Sequence, residues 1–200
     1  MQKILTTKNI ARIAILGALG AFLMLFELPL TFIAPSFYKL DLGDLPCLIG
    51  AFAMGPIPAL LIQVIKILIK MIIKPTSTAF VGEAAAFIFS SVYCVTASAI
   101  YAKNRTKKGA VMGLIVASIA QIVVAAIANY AFIIPAYVSM FHLPLEVIVD
   151  MGHKIIPFVT DKLTFCIACV APFNAIKTIV VSILTIVLYK HVSPLLVDRK

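Results

Sequence analysis

The sequence predicts an all-α integral membrane protein with six transmembrane helices and both termini in the cytoplasm. Three observations carry that prediction. Of the 200 residues, 62% are hydrophobic, against about 45–50% in soluble domains, and the mean hydropathy is +1.11. The apolar residues fall into runs long enough to cross a bilayer, which takes about 20 residues each. Basic residues cluster in three places: Lys3, Lys8 and Arg12 at the start, Lys103, Arg105, Lys107 and Lys108 in one loop, and Lys190, Arg199 and Lys200 at the end. The positive-inside rule puts all three clusters on the cytoplasmic face, so an even number of spans separates them. The net charge of +9 is thereby read as membrane topology. Nucleic-acid binding is excluded, because no soluble basic domain is present to perform it. The partner implied by composition is the lipid bilayer.

The elements follow in order within a single membrane domain, 1–200. The first span is 9–27, with no small-residue cleavage site that would mark a removable leader. Pro29, Pro35, Gly43, Asp41 and Asp44 mark 28–43 as an external loop. The apolar run that follows is too long for one span and breaks at "GPIP", because proline ends or kinks a helix. It is read as a short helix, 44–54, and a second, 57–73. An external turn, 74–79, leads to a span over 80–102, and the basic loop leads to a span over 109–138. Pro144 and Pro157, with Glu146, Asp150, His153, Lys154, Asp161 and Lys162, make 139–171 an external amphipathic segment. The last span is 172–190, with Pro172 in its first turn, where proline is tolerated.

Ionisable groups at membrane depth are costly and usually functional. Under this topology Tyr38, Lys39 and Asp41 lie in the first loop, Lys74 and Glu83 flank the second, and Asn129, Tyr130, Asn174 and Lys177 lie in the outer parts of spans five and six. All face one side of the membrane, as a polar cavity opening outward would require. Each has a plainer reading beside the functional one. Lys177 is close enough to the expected span end to snorkel. Asn174 can make an ordinary interhelical hydrogen bond, and Glu83 can pair with Lys70 or Lys74. Lys66, Lys70 and Lys74 recur every fourth residue and fit a water-facing stripe as well as a substrate path. Glu27 sits at an interface.

Other chemistry finds little support. His142, Glu146, Asp150 and His153 lie at helix-like spacing but outside the spans. No HExxH motif and no GxxxxGK[ST] loop is present, so any ATP-driven step belongs to a partner. Cys47, Cys94, Cys166 and Cys169 are read as small buried hydrophobes, because the "CIAC" pair has apolar flanks and no second ligand pair. In the first span, Ala14 and Ala18 form one small-residue row and Gly17 and Ala21 the adjacent one. That spacing permits close helix approach, within the molecule or to a partner.

Four stretches together, "FYKLDLGDLPCLIGAFAMGP", "GEAAAF", "ANY" and "APFNAIKTIVVSILTIVLYK", resemble the riboflavin-specific S component of energy-coupling factor (ECF) vitamin transporters, in order and over most of the chain. The resemblance implies a non-enzymatic component of the cell membrane that captures riboflavin from outside. It implies delivery by docking onto an ECF transmembrane (T) component driven by two ATPase subunits, with the S component toppling in the bilayer. It implies no cofactor beyond the transported ligand. It places the ligand on Tyr38, Leu40, Asp41, Glu83, Asn129, Asn174 and Lys177, and the partner on Ala14 and Ala18. The chemistry agrees: amides and a lysine supply the donors and acceptors that one polar ring edge and a ribityl chain require. An S component for another vitamin, such as pantothenate or thiamine, is the nearest alternative. A small membrane enzyme built on His142, Glu146, Asp150 and His153, or a self-sufficient ion-coupled carrier, is more distant.

Overall fold

The computed structural model describes residues 6–196, with side chains described as far as Tyr189. Lys3, Asp198, Arg199 and Lys200 lie outside the described residues, as do the side chains of Lys190 and His191. Helices α1 (Thr7–Met24), α2 (Asp44–Met54), α3 (Pro56–Ile73) and α4 (Val81–Lys103) precede α5 (Lys107–Ala128), which continues through a π segment (Asn129–Ile133) into α6 (Ile134–Phe141). Then come α7 (Leu145–His153), α8 (Lys162–Phe165), a second π segment (Cys166–Val170) and α9 (Ala171–Leu196). Among the described residues, five helices are long and apolar enough to cross a membrane, and Asp44–Met54 is a shorter apolar helix.

Helix α1 starts where the Thr6 hydroxyl accepts from the Asn9 N–H at 3.3 Å, relieving one of the unpaired donors of a first turn. It buries Ile13, Leu16, Gly17, Gly20, Ala21 and Met24, a stripe at three- and four-residue spacing. Gly20 and Gly43 bring α1 against the start of α2. A Cβ on Gly20 would stand 3.0 Å from the Gly43 carbonyl, and one on Gly43 would stand 2.9 Å from the Gly20 carbonyl. The "GPIP" break is a single-residue joint: Gly55 takes φ +97, which glycine alone adopts freely, and Pro56 opens α3.

Several expectations are corrected. The loop 28–43 contains a two-residue antiparallel ladder, β1 (Leu28–Pro29) with β2 (Lys39–Leu40). The last helix starts at Lys162, not at 172, and continues through the second π segment into α9, so helix occupies the final ten residues of the segment 139–171. Asp161 caps its start through a capping box with Thr164. Pro172 does not begin the helix because the π segment ahead of it, closed by the Ala171 N–H on the Cys166 carbonyl, takes up the register change that a missing N–H demands. The same device precedes Pro135, where the Ile134 N–H reaches the Asn129 carbonyl. Span five accordingly extends over Lys107–Phe141, beyond the expected 109–138. At the other end, α1 stops at Met24, which leaves Glu27 in the loop.

Two apolar clusters hold the bundle. One joins Ile13, Leu16, Leu48, Ile62, Cys94, Leu114 and Val181. The other joins Leu40, Ala125, Ile148, Val159, Phe165, Cys169 and Phe173. All four cysteines are free and buried, and no metal-binding cluster of His, Cys, Asp or Glu exists among the described residues.

Candidate functional site

A cavity of about 260 Å³ opens where the loop after α1 folds back over the bundle. Its wall combines Phe37, Tyr38 and Asp41 from that loop, Lys70 and Lys74 from the end of α3, and Glu83, Phe89 and Ser90 from α4. Gln121 of α5, Asn129 of the first π segment, Tyr137 of α6, and Phe173, Asn174 and Lys177 of α9 complete it. Six of the seven residues expected at a ligand site therefore meet on one surface. Leu40 is the exception. It pairs with Leu28 in the ladder and its side chain packs into the second apolar cluster.

Ion pairing organises the wall. Lys177 Nζ donates to Asp41 Oδ2 at 2.8 Å and stands 3.4 Å from Asp44 Oδ2. Behind it, Lys66 Nζ meets Asp44 Oδ1 at 2.7 Å, with side-chain exposures of only 1% and 2%. Lys70 Nζ meets Glu83 Oε1 at 2.7 Å, while Glu83 Oε2 accepts from the hydroxyls of Thr76 and Thr78. The Lys66, Lys70 and Lys74 row is thus not a water-facing stripe, since its first two members are buried and paired. Lys177 is not a snorkelling lysine either. Its helix begins at Lys162, about 22 Å away at 1.5 Å per residue, and its ammonium is held by carboxylates.

At the rim, Lys39 and Lys74 both reach Glu27 Oε2, at 2.8 and 2.7 Å. Partial burial pushes the Glu27 carboxyl up, but the hydrogen bonds and charges of the two lysines outweigh it and hold the group below its usual range. Burial raises the Tyr38 phenol well above its ordinary value, so it remains a hydroxyl and donates to Asn129 Oδ1 at 2.6 Å. Tyr38 also packs at a tilt against Phe37 and Phe173, with ring centroids 4.8 and 5.4 Å apart.

The two asparagines are oriented alike. Asn129 Nδ2 donates to the Ala125 carbonyl at 2.8 Å, and Asn174 Nδ2 donates to the Val170 carbonyl at 2.9 Å. Asn174 Oδ1 accepts from Gln121 Nε2 at 3.2 Å. An amide nitrogen carries two hydrogens, so each asparagine keeps one to offer. Aromatic rings and aliphatic walls surround these few polar groups, which is the usual make-up of a small-molecule site. A second cavity of about 260 Å³ adjoins the first and shares Phe37, Tyr38, Ser77, Thr78 and Tyr137 with it. Its remaining wall is largely apolar, from Ile134, Phe141, Val147 and Met151.

Several wall residues escaped sequence reasoning. Gln121 is the clearest: one amide in the middle of an apolar span is a signal of the same kind as Asn129. Phe89, Tyr137 and Phe173 carried no such signal, because aromatic residues are ordinary in a span. Tyr130 stays off the wall and lies under Lys162 Nζ, 4.1 Å from the ring centroid. His142, Glu146, Asp150 and His153 do not line the cavity. Asp150 pairs with Lys154 at 2.8 Å, and His153 Nδ1 lies 2.9 Å from the Val159 carbonyl. On α1 the two small-residue rows part. Gly17 and Ala21 pack inside, whereas Ala14 and Ala18 are exposed.

Comparison with known proteins gives a consistent set of matches. The family model for ECF transporter, substrate-specific component, matches residues 8–189. The riboflavin transporter RibU of Staphylococcus aureus (strain TCH60) is 30% identical over 186 residues, 93% of this chain and 90% of that protein. The riboflavin transporter FmnP of Bacillus subtilis (strain 168) is 26% identical over 188 residues, 94% of this chain and 93% of that one. The solved structure of the S component of a bacterial ECF transporter superposes with a TM-score of 0.73 at 30% identity, covering 94% of this chain and 97% of that one.

Proposed function

The chain belongs to the substrate-specific components of ECF transporters, and from that premise we propose that it binds riboflavin from the extracellular side and delivers it by docking onto an energising module. It is a multi-pass protein of the cell membrane, and its family is a transport component rather than an enzyme. In this reading the short α2 counts as a span. There are then six, both termini lie in the cytoplasm, and the cavity opens outward. The module comprises a T component and two ATPase subunits. The exposed Ala14 and Ala18 row of α1 is the surface that meets the T component.

The observation that carries this reading is the convergence of Tyr38, Asp41, Glu83, Asn129, Asn174 and Lys177 on one cavity with aromatic walls. A flavin presents a flat ring that is apolar at one end and edged with alternating acceptors and donors at the other. Asn129, Asn174 and Lys177 supply donors toward such an edge or toward ribityl oxygens. Phe37, Phe89, Tyr137 and Phe173 supply surfaces for the ring. Leu40 takes part by fixing the loop.

The test is a titration of purified protein against riboflavin, thiamine and pantothenate by calorimetry, paired with uptake into proteoliposomes. Saturable binding of riboflavin alone, with uptake only when the T component, ATPases and ATP are present, is expected. Binding of thiamine or pantothenate instead reassigns the vitamin. Uptake by this chain alone contradicts the S-component role.

A further inference from the structure

We infer that Gln121 is a specificity-determining residue whose side-chain carbonyl accepts a hydrogen bond from the bound ligand. The inference rests on the flavin reading above and adds an acceptor to it. Three buried side-chain atoms have no hydrogen-bond partner among the described residues: Gln63 Oε1, Ser91 Oγ and Gln121 Oε1. Of these, Gln121 alone belongs to a residue of the cavity wall. It lies on α5 between Ala117 and Ala125, both fully buried, and is itself 2% exposed. A buried carbonyl oxygen left without a donor is destabilising. Such a group persists in a binding site because the ligand completes it.

Among the described residues, Gln121 Oε1 is the one buried side-chain oxygen of the wall that makes no hydrogen bond at all. Asp41 spends Oδ1 on the Gly43 N–H and Oδ2 on Lys177. Glu83 spends its oxygens on Lys70, Thr76 and Thr78. Asn129 and Asn174 have their oxygens turned to Tyr38 and Gln121, and what each retains is one lone pair on that oxygen and one N–H. Lys177 is a donor only. A ligand carrying acceptors alone would be served by this wall without Gln121. One carrying a donor as well, such as a flavin with its ring imide N–H and its ribityl hydroxyls, needs an acceptor, and Gln121 Oε1 is unclaimed. Gln121 Nε2 holds Asn174 at the same time, so one side chain fixes the hydrogen-bond polarity of both.

The imide N–H and a ribityl hydroxyl share the same donor chemistry, and the test separates them. Wild type, Gln121→Met and Gln121→Glu are titrated with riboflavin, 3-methylriboflavin (no imide N–H) and lumiflavin (no ribityl chain) by flavin fluorescence. Gln121→Met keeps the length and apolar tolerance of the site but removes the acceptor, together with the Nε2 donor to Asn174 that Gln121→Glu lacks as well. It is expected to weaken riboflavin binding about tenfold to a hundredfold. It should also flatten the wild-type preference for riboflavin over whichever analogue lacks the donor: 3-methylriboflavin for the imide, lumiflavin for the ribityl chain. Gln121→Glu retains an oxygen at the same place and is expected to retain the preference. A Gln121→Met protein that binds riboflavin within twofold of wild type, or loses all three ligands by the same factor, overturns the inference. So does loss of the preference in Gln121→Glu, which also decides the matter if Gln121→Met does not fold. Wild type that fails to bind riboflavin at all refutes the flavin reading itself, a result distinct from these.

Discussion

Lys66 and Lys177 share the carboxylate of Asp44, yet they serve different parts of the molecule. Lys66 is sealed. It lies off the cavity wall, its stem packs against Gly20 of α1, and its head is enclosed with Asp44 and Gln63. Lys177 stands on the wall, 13% exposed, and its main partner Asp41 comes from the loop that covers the cavity. The same chemistry thus locks helices together at one place and ties a loop to a binding surface at the other. The difference lies in what else can reach the charge. A sealed pair can only stabilise or destabilise the fold, whereas a pair at a cavity can also answer to a ligand.

The sharpest way to break that contrast is to remove each lysine in turn. Lys66→Ala leaves Asp44 without its closest partner, and about 3–5 kcal/mol of stability is expected to go, seen as a lower unfolding temperature in detergent. Lys177→Ala is expected to lose riboflavin binding and to destabilise as well, because Asp41 and Asp44 lose a cation. An unaltered unfolding temperature in Lys66→Ala would contradict the sealed-pair reading.

A second contrast lies on α1. A Cβ at Gly17 would stand 2.5 Å from Ile65, so Gly17→Leu overpacks the α1–α3 contact and is expected to cost about 1–3 kcal/mol or more. Ala14→Trp points away from the bundle. It should bind riboflavin within about twofold of wild type while uptake with the ECF module is abolished. Loss of binding in Ala14→Trp would show that this row packs internally.

Asn174→Ala samples the cavity alone. Binding is expected to fall about tenfold to a hundredfold in a fluorescence titration, with a smaller change in unfolding temperature than Lys66→Ala gives. Tyr38→Phe removes one hydroxyl from the loop and leaves its ring packing, so a loss of about 0.5–1.5 kcal/mol in ligand affinity or loop protection is expected.

The smallest effect belongs to the exposed rim. Glu27 is held below its ordinary value of 4.5. Its contribution is therefore present above that value and lost as pH falls through the lower folded-state value. Because Lys39 and Lys74 are nearly half exposed, the loss is expected to stay under about 1 kcal/mol. Hydrogen exchange of residues 28–40 between pH 6 and pH 3 in wild type and Glu27→Gln would register it; equal behaviour of the two proteins would remove the rim pairing from the account.

The helices were mostly legible because their signals are local. The break at Gly55 set α2 and α3, and the basic loop set α4 and α5. The start of the last helix was not legible. Pro172 reads as a first-turn residue unless a π segment absorbs it, and that segment has no signature in one sequence. Asn129, Asn174 and Lys177 were found because polar groups in apolar runs stand out. Their partners were not, because Lys177 pairs with Asp41 across 136 positions and Lys66 with Asp44 across 22, separations that no periodicity encodes. Gln121 gave the same local signal as Asn129 and was passed over for want of a motif around it.

The central claim is that one hollow, read by Asn129, Asn174 and Lys177 together, holds a single flavin. Equilibrium titration of the purified protein with riboflavin, run beside the Asn129→Ala/Asn174→Ala double variant, tests it most directly. The account predicts quenching that saturates at one flavin per chain in the wild type and is nearly abolished in a double variant that still folds. Saturation unchanged in the double variant, or no saturable quenching in the wild type, would contradict it.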